Sequence, residues 1–291
     1  MNQTQIQNLA IGLVTENKPG YITIPGLTDN AQKITRNFEQ LHRDLVGKDL
    51  YVRKSWCTDF EQALLENRDS DRGLVFRVGG EHDLKAMLQY RLSLRSELAA
   101  RGIILEPYQQ ELLEACQYLW KQSYAQAYEI AKHLNMLLPG FDFADRVRRS
   151  AEDHVLRVLR YMPGRTFYAQ PHYDVDFLTL ALYESIQALI VEGQKVNCKK
   201  DEAFAFLGMK AQLTTDLGLR HVYDAFDPRY EPNEMSLGLQ AHIHGAQNID
   251  QQDVRYAVVF FTHIDMKGLT LSDISTIQKQ LVTLKLNLKR S

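Results

Sequence analysis

Hydrophobic positions along this chain change their period near residue 154. Before it they recur every three or four residues, the repeat of one helix face; after it they alternate or run on continuously, as strands do. Residues 20–26, GYITIPG, place β-branched and aromatic residues between turn formers and predict a short strand. Asp29 or Asn30 then caps a helix carrying Ile34, Phe38, Leu41 and Leu45 on one side. The long helix is predicted over 106–138, with Pro107 near its start and Pro139-Gly140 at its end. Leu112, Ala115, Leu119, Ala127 and Ile130 form its buried stripe, with Cys116 and Trp120 packed near it. Glu81-His82-Asp83 reads as the capped start of a helix through Leu84, Leu88 and Leu92, and Asp142 caps another to about Asp153. Strands are expected at 155–161, 177–183, 203–207, 237–244 and 256–264, and Ser272 caps a closing helix with Ile274, Ile277, Leu281 and Leu284 on one face. Helices followed by short strands indicate an α+β protein. Its β core is expected over 154–291, with a helical and mixed region over 1–153 packed on it as one structural unit.

Composition narrows the class. The 291 residues are 45% hydrophobic, enough for a substantial core. A net charge of -2, with no long basic or acidic block, leaves no electrostatic footprint for nucleic acid or an anionic membrane. A small-molecule or peptide partner is expected instead. The three cysteines, Cys57, Cys116 and Cys198, are too far apart for a CxxC site and odd in number, which points away from a disulfide framework and toward a reducing, cytoplasmic setting. No stretch has the length of a membrane span, and the first residues lack the charged and apolar regions of a signal peptide.

Chemistry concentrates in His172-Tyr173-Asp174. Side chains two apart on a strand share a face, so the imidazole of His172 and the carboxylate of Asp174 project together. Asp176 falls on that face too, as a supporting or solvated carboxylate. A facial triad of two histidines and one carboxylate, which holds non-heme Fe(II) with positions left open, needs one more histidine. His242 and His244 both offer it; His244 is preferred because Gly245 begins the turn after it. In Glu81-His82-Asp83 adjacent side chains diverge, which disfavours a metal site there.

The order of Tyr161-Met162-Pro163, His172-x-Asp174, the apolar run 177–182, a distal histidine and Arg255 entering a last apolar strand resembles the isopenicillin N synthase-like Fe(II)/2-oxoglutarate-dependent oxygenases. The resemblance covers roughly residues 154–264, more loosely 20–46. It implies a double-stranded β-helix, or jelly-roll, core and assigns His172, Asp174 and His244 as Fe(II) ligands. It further implies that Arg255 and Tyr161 hold the distal carboxylate of 2-oxoglutarate, a guanidinium fork matching a carboxylate as a lysine cannot. The reaction would use O2, release succinate and CO2, and oxidise a C–H bond of a small organic, amino-acid-like substrate. Two positions depart from the family: Ala257 stands for a usual serine and Leu159 for a frequent asparagine. They leave room for an oxidase in which Arg255 grips the substrate's own carboxylate, and for a barrel that binds a ligand or partner without turnover. The segment around 217–235 is longer than the family's and reads equally as a lid or a surface loop.

Overall fold

The computed structural model describes residues 21–26, 28–45, 60, 76–77, 85–138, 141–163, 167–196, 201–218, 239–247 and 253–265. Strand β11 (Arg255–Thr262) has no exposed residue, which accounts for its nearly unbroken apolar sequence. It is the middle strand of a seven-stranded sheet. On one side lie β6 (Leu178–Glu184), β9 (Glu202–Leu207) and β1 (Ile22–Pro25); on the other lie β4 (Val155–Tyr161), β3 (Lys85–Tyr90) and β2 (Phe76–Arg77). A smaller sheet runs β5 (Phe167–His172), β10 (His244–Gln247), β7 (Leu189–Val191) and β8 (Gln194–Lys195). Every pairing in both sheets is antiparallel.

Alternation along the large sheet separates packing from chemistry. On β4, Leu156 and Val158 join the main hydrophobic core, while Arg157, Leu159 and Tyr161 line a cavity between the two sheets. On β11 the same division puts Val258 and Phe260 in the core and Arg255, Ala257, Val259 and Phe261 on the cavity. The helices α1 (Thr28–Leu45), α2 (Leu94–Ala100), α3 (Pro107–Leu137) and α4 (Phe143–Arg149) precede β4, and α5 (Met209–Gly218) follows β9. The core face of the large sheet carries α3. Trp120 stands edge-on to Phe260 at 5.7 Å between ring centroids, and its indole N–H donates to the His154 carbonyl at 3.2 Å. Cys116 is wholly buried on the same helix. Pro107 opens α3, and the Gln109 side chain accepts the Glu106 N–H at 3.0 Å, so the helix begins where its sequence predicts.

Other expectations are corrected. The helix expected through Leu84, Leu88 and Leu92 is strand β3, whose burial alternates so that Ala86, Leu88 and Tyr90 face the core. Leucines four apart satisfy a strand's period of two as well as a helix face, and the free edge of β4 selects the strand. Expected strand 237–244 reduces to β10, starting at His244, with residues 239–243 outside any strand. The helix after Asp142 stops at Arg149, and a single 3-10 turn covers Ala151–Asp153. Asp142 makes no side-chain cap; Asn135 Oδ1 accepts the Phe143 N–H at 2.5 Å. The hairpin β7–β8 was not anticipated; Glu192 (φ 49°) and Gly193 (φ 78°) form its two-residue turn. Strands β1, β2 and β3 belong to the large sheet although they precede residue 154, so the sheet is assembled from both sides of that boundary. Glu81-His82-Asp83, residues 219–235 and the helix expected from Ser272 lie outside the described residues.

Candidate metal centre

His172 ends β5 and His244 begins β10, and the two are register partners across the small sheet. Their rings stand 4.5 Å apart, centroid to centroid. Asp174, two residues beyond the strand end, turns its carboxylate between them: His172 Nε2 is 3.5 Å from Oδ1 and His244 Nε2 is 3.2 Å from Oδ2. One donor atom from each of the three lies within 4.8 Å of the other two. A first-row divalent ion with donors at about 2.1 Å sets neighbouring donors about 3 Å apart, and two nitrogens with one carboxylate suit such an ion. His244 and Asp174 are largely buried, with side chains 8% and 12% exposed, whereas His172 is 40% exposed and stands at the mouth.

The backbone has already chosen the nitrogen each histidine presents. His172 Nδ1 is 2.7 Å from the Gln170 carbonyl and His244 Nδ1 is 3.2 Å from the His242 carbonyl. An Nδ1–H donated to each carbonyl leaves the Nε2 lone pair facing Asp174. His242, the other distal candidate, turns away: its Nδ1 lies 3.4 Å from Glu192 Oε1. Residues 239–243 are not a strand, so the alternation that would have given His242 and His244 one face does not operate there.

The carboxylate is held from behind. Thr179 on β6 donates to Asp174 Oδ2 at 2.6 Å and stands 2.9 Å from Asp176 Oδ2. Asp176 is only 2% exposed, which removes the solvated of its two expected roles and leaves the supporting one. Burial and the Asp174 charge push its carboxyl well above the usual range. Asp174 goes the other way: burial raises it, but the His244 and His172 imidazoles outweigh burial and hold it well below the carboxylate range. For His172, burial works against the charged form, and the Asp174 carboxylate more than offsets this, raising it. Helix α5 closes the turn behind the site, its first amides Met209 and Lys210 donating to the carbonyls of Asp174 and Asp176 at 2.8 and 3.0 Å.

Beyond the triad, a cavity of ≈ 100 Å³ runs between the sheets. Leu159 and Ala257, the two departures from the family pattern, are register partners on its floor and are buried against Tyr161. Arg255 lies beside them, its guanidinium 5.0 Å from the Tyr161 ring centroid and 5.7 Å from that of Tyr168. Its Nη2 donates to Glu184 Oε2 at 2.8 Å in a buried ion pair, while Nη1 is buried without a partner among the described residues. Burial disfavours the Arg255 charge, and Glu184 and Tyr161 more than restore it. Glu184 Oε2 also accepts the amides of Ala188 and Leu189 at 2.9 and 3.2 Å.

Thr179 and Glu184 were not identified from sequence, because their roles follow from strand register. Arg157 and Lys85 also line the cavity. For Arg157 there was a signal, a cation at the same strand parity as Leu159 and Tyr161.

No family model matches the chain, and no curated protein matches it by sequence. Solved structures do match. A putative 2OG-Fe(II) oxygenase family protein from Caulobacter crescentus superimposes with TM-score 0.57 at 16% identity, over 99% of this chain and 95% of the other. A full-length Neurospora crassa protein, in complex with alpha-KG, gives 0.59 at 13% over 96% and 90%. The Arabidopsis thaliana dioxygenase for auxin oxidation, in its 2-oxoglutarate complex, gives 0.56 at 13% over 92% and 90%. The chain therefore has the α+β, double-stranded β-helix fold of the 2-oxoglutarate–Fe(II) oxygenases. Among the described residues no helix is long and apolar enough to cross a membrane.

Proposed function

We propose that this chain is a non-heme Fe(II)- and 2-oxoglutarate-dependent oxygenase that oxidises a C–H bond of a small organic substrate, with His172, Asp174 and His244 as iron ligands. The observation that carries the reading is the convergence of two Nε2 atoms on one carboxylate while both Nδ1 atoms are committed to backbone carbonyls. When bound, Fe(II) and 2-oxoglutarate supply the oxidising chemistry, the cosubstrate giving up CO2 as O2 is consumed. The chain supplies the rest. Thr179 holds Asp174 by Oδ2, the oxygen that His244 also approaches, and leaves Oδ1 facing His172. Leu159, Ala257 and Val259 keep water from the cavity floor. Arg255 Nη1 and the Tyr161 phenol are assigned to the distal carboxylate of 2-oxoglutarate, since that nitrogen is buried, without a partner among the described residues, and on a residue lining the cavity.

Glu184 favours a second reading. A carboxylate already neutralises Arg255, so that end of the cavity carries little net attraction for another anion. An Fe(II) oxidase independent of 2-oxoglutarate follows if the pair stays closed during turnover. Anaerobic Fe(II) titration followed by 2-oxoglutarate separates the two. The first reading expects a weak visible charge-transfer band that is lost in His172→Ala and weakened in Arg255→Gln. Iron binding without the band selects the second, and absence of iron binding by the wild-type protein ends both.

A further inference from the structure

Arg157 is the one cavity-lining arginine with no carboxylate paired to it among the described residues. It sits on β4 between apolar neighbours, its guanidinium 4.5 Å from the Phe261 ring centroid. Nη2 donates to Gln89 Oε1 at 2.9 Å, and Nε is buried with no acceptor among the described residues. A guanidinium always carries its charge; the Asp174 and Asp176 carboxylates act on it without an ion pair, and among the described residues its direct contacts are a neutral amide and an aromatic face. Register places it near the metal ligands. Arg157 pairs with Val259; two residues on, Phe261 pairs with Thr179, whose hydroxyl holds Asp174. Lys85, register partner of Tyr161, adds a second cation on the cavity wall, close enough to act on His172. The cavity thus has an internally neutralised cation, Arg255 with Glu184, and an open one, Arg157, with the apolar floor of Leu159 and Ala257 lying between their positions along the sheet.

We infer that Arg157, supported by the field of Lys85, anchors a carboxylate on the organic substrate beside the metal centre. The substrate class is then a small organic acid with an apolar body, its charge held by the donors of Arg157 and its carbon skeleton over the floor. This rests on the reading of the triad as a metal centre. It adds a residue for which the family pattern supplied no role.

The test uses the full chain loaded with Mn(II) and saturated with 2-oxoglutarate, probed by ligand-observed NMR with paired probes: benzoate against benzamide, and butyrate against butyramide. The expected result is that the carboxylates bind, that bound Mn(II) broadens their signals, and that the amides bind about tenfold more weakly or worse. In Arg157→Gln the preference for carboxylate should disappear while Mn(II) and 2-oxoglutarate affinity stay unchanged. Should that variant not fold, Arg157→Lys keeps the charge without the fork and should retain a reduced preference. Equal binding of amide and carboxylate by the wild type overturns the inference, as does undiminished carboxylate preference in a folded Arg157→Gln. Displacement of 2-oxoglutarate by benzoate also overturns it, since Arg157 would then serve the cosubstrate. Wild-type protein that fails to take up Mn(II) or Fe(II) fails the underlying reading instead, a result visible before any probe is added.

Discussion

Asp174 is approached by two imidazoles at the front and one hydroxyl behind, so its orientation depends on a neighbour that never touches the ion. Support of this kind is commonly worth ~10–100-fold in metal affinity. Thr179→Val keeps the shape and removes the hydroxyl. It should weaken Mn(II) binding by about tenfold or more with the fold intact, measured by Mn(II) titration with circular dichroism as the control; unchanged affinity would show that the hydroxyl does not hold the carboxylate. A second constraint comes from Gly208. A Cβ there would lie 2.3 Å from Asp176 Oδ1 and 2.4 Å from the Asp176 carbonyl oxygen, and backbone at that distance cannot give way cheaply. Gly208→Ala should therefore cost roughly 1–3 kcal/mol in urea denaturation. His172 and Asp174 were legible because an HxD pair needs only local geometry. The supporting residues were not, since Thr179 and Glu184 matter through register across the sheet, which spacing along the chain does not encode.

Between α3 and the large sheet, His154 is completely buried beside Trp120, Tyr124 and Phe260. Its Nδ1 accepts the backbone N–H of His263 at 3.0 Å, a bond that needs the neutral ring. Burial lowers its pKa to about 4, against roughly 6.5 in the unfolded chain. Between those values the unfolded chain takes up a proton that the folded one refuses. The contribution is therefore whole above pH 6.5, declines as pH falls toward 4, and changes no further below that. His263, held well below its ordinary value by burial and by Lys210, acts in the same direction. Wild-type protein should lose about 2 kcal/mol to His154 between pH 7 and pH 5, and His154→Asn should flatten that slope in paired urea titrations. If the variant's slope equals the wild type's, His154 is not the source. Elements with strong end signals, such as α3, were legible in the sequence. Strand β3 reads as a helix in the sequence because Leu84, Leu88 and Leu92 fit two periods, and the β7–β8 hairpin was missed because three apolar residues and a Glu-Gly turn are a short signal.

For the whole molecule, the proposed centre joins the small sheet to the turn leading into the large one, with His172 and His244 on strands and Asp174 just before β6. Metal binding should therefore stabilise the entire fold. At one hundred times its Kd an ion binding only the native state adds ~2.7 kcal/mol, so Mn(II) should raise the Tm of the wild-type protein and leave that of His244→Ala unmoved. An equal rise in both would place the ion elsewhere. Strand order carries a further consequence, for a chain emerging from a ribosome. Within the large sheet, β1, β9 and β6 form one hydrogen-bonded group and β4, β3 and β2 another, and β11 alone joins them, although it is the last of the described strands to be synthesised. Until β11 leaves the exit tunnel, β4 and β6 each present an unpaired edge. The nascent chain must wait with both edges open, and that interval is when its exposure to aggregation, and its need for a chaperone, should be greatest.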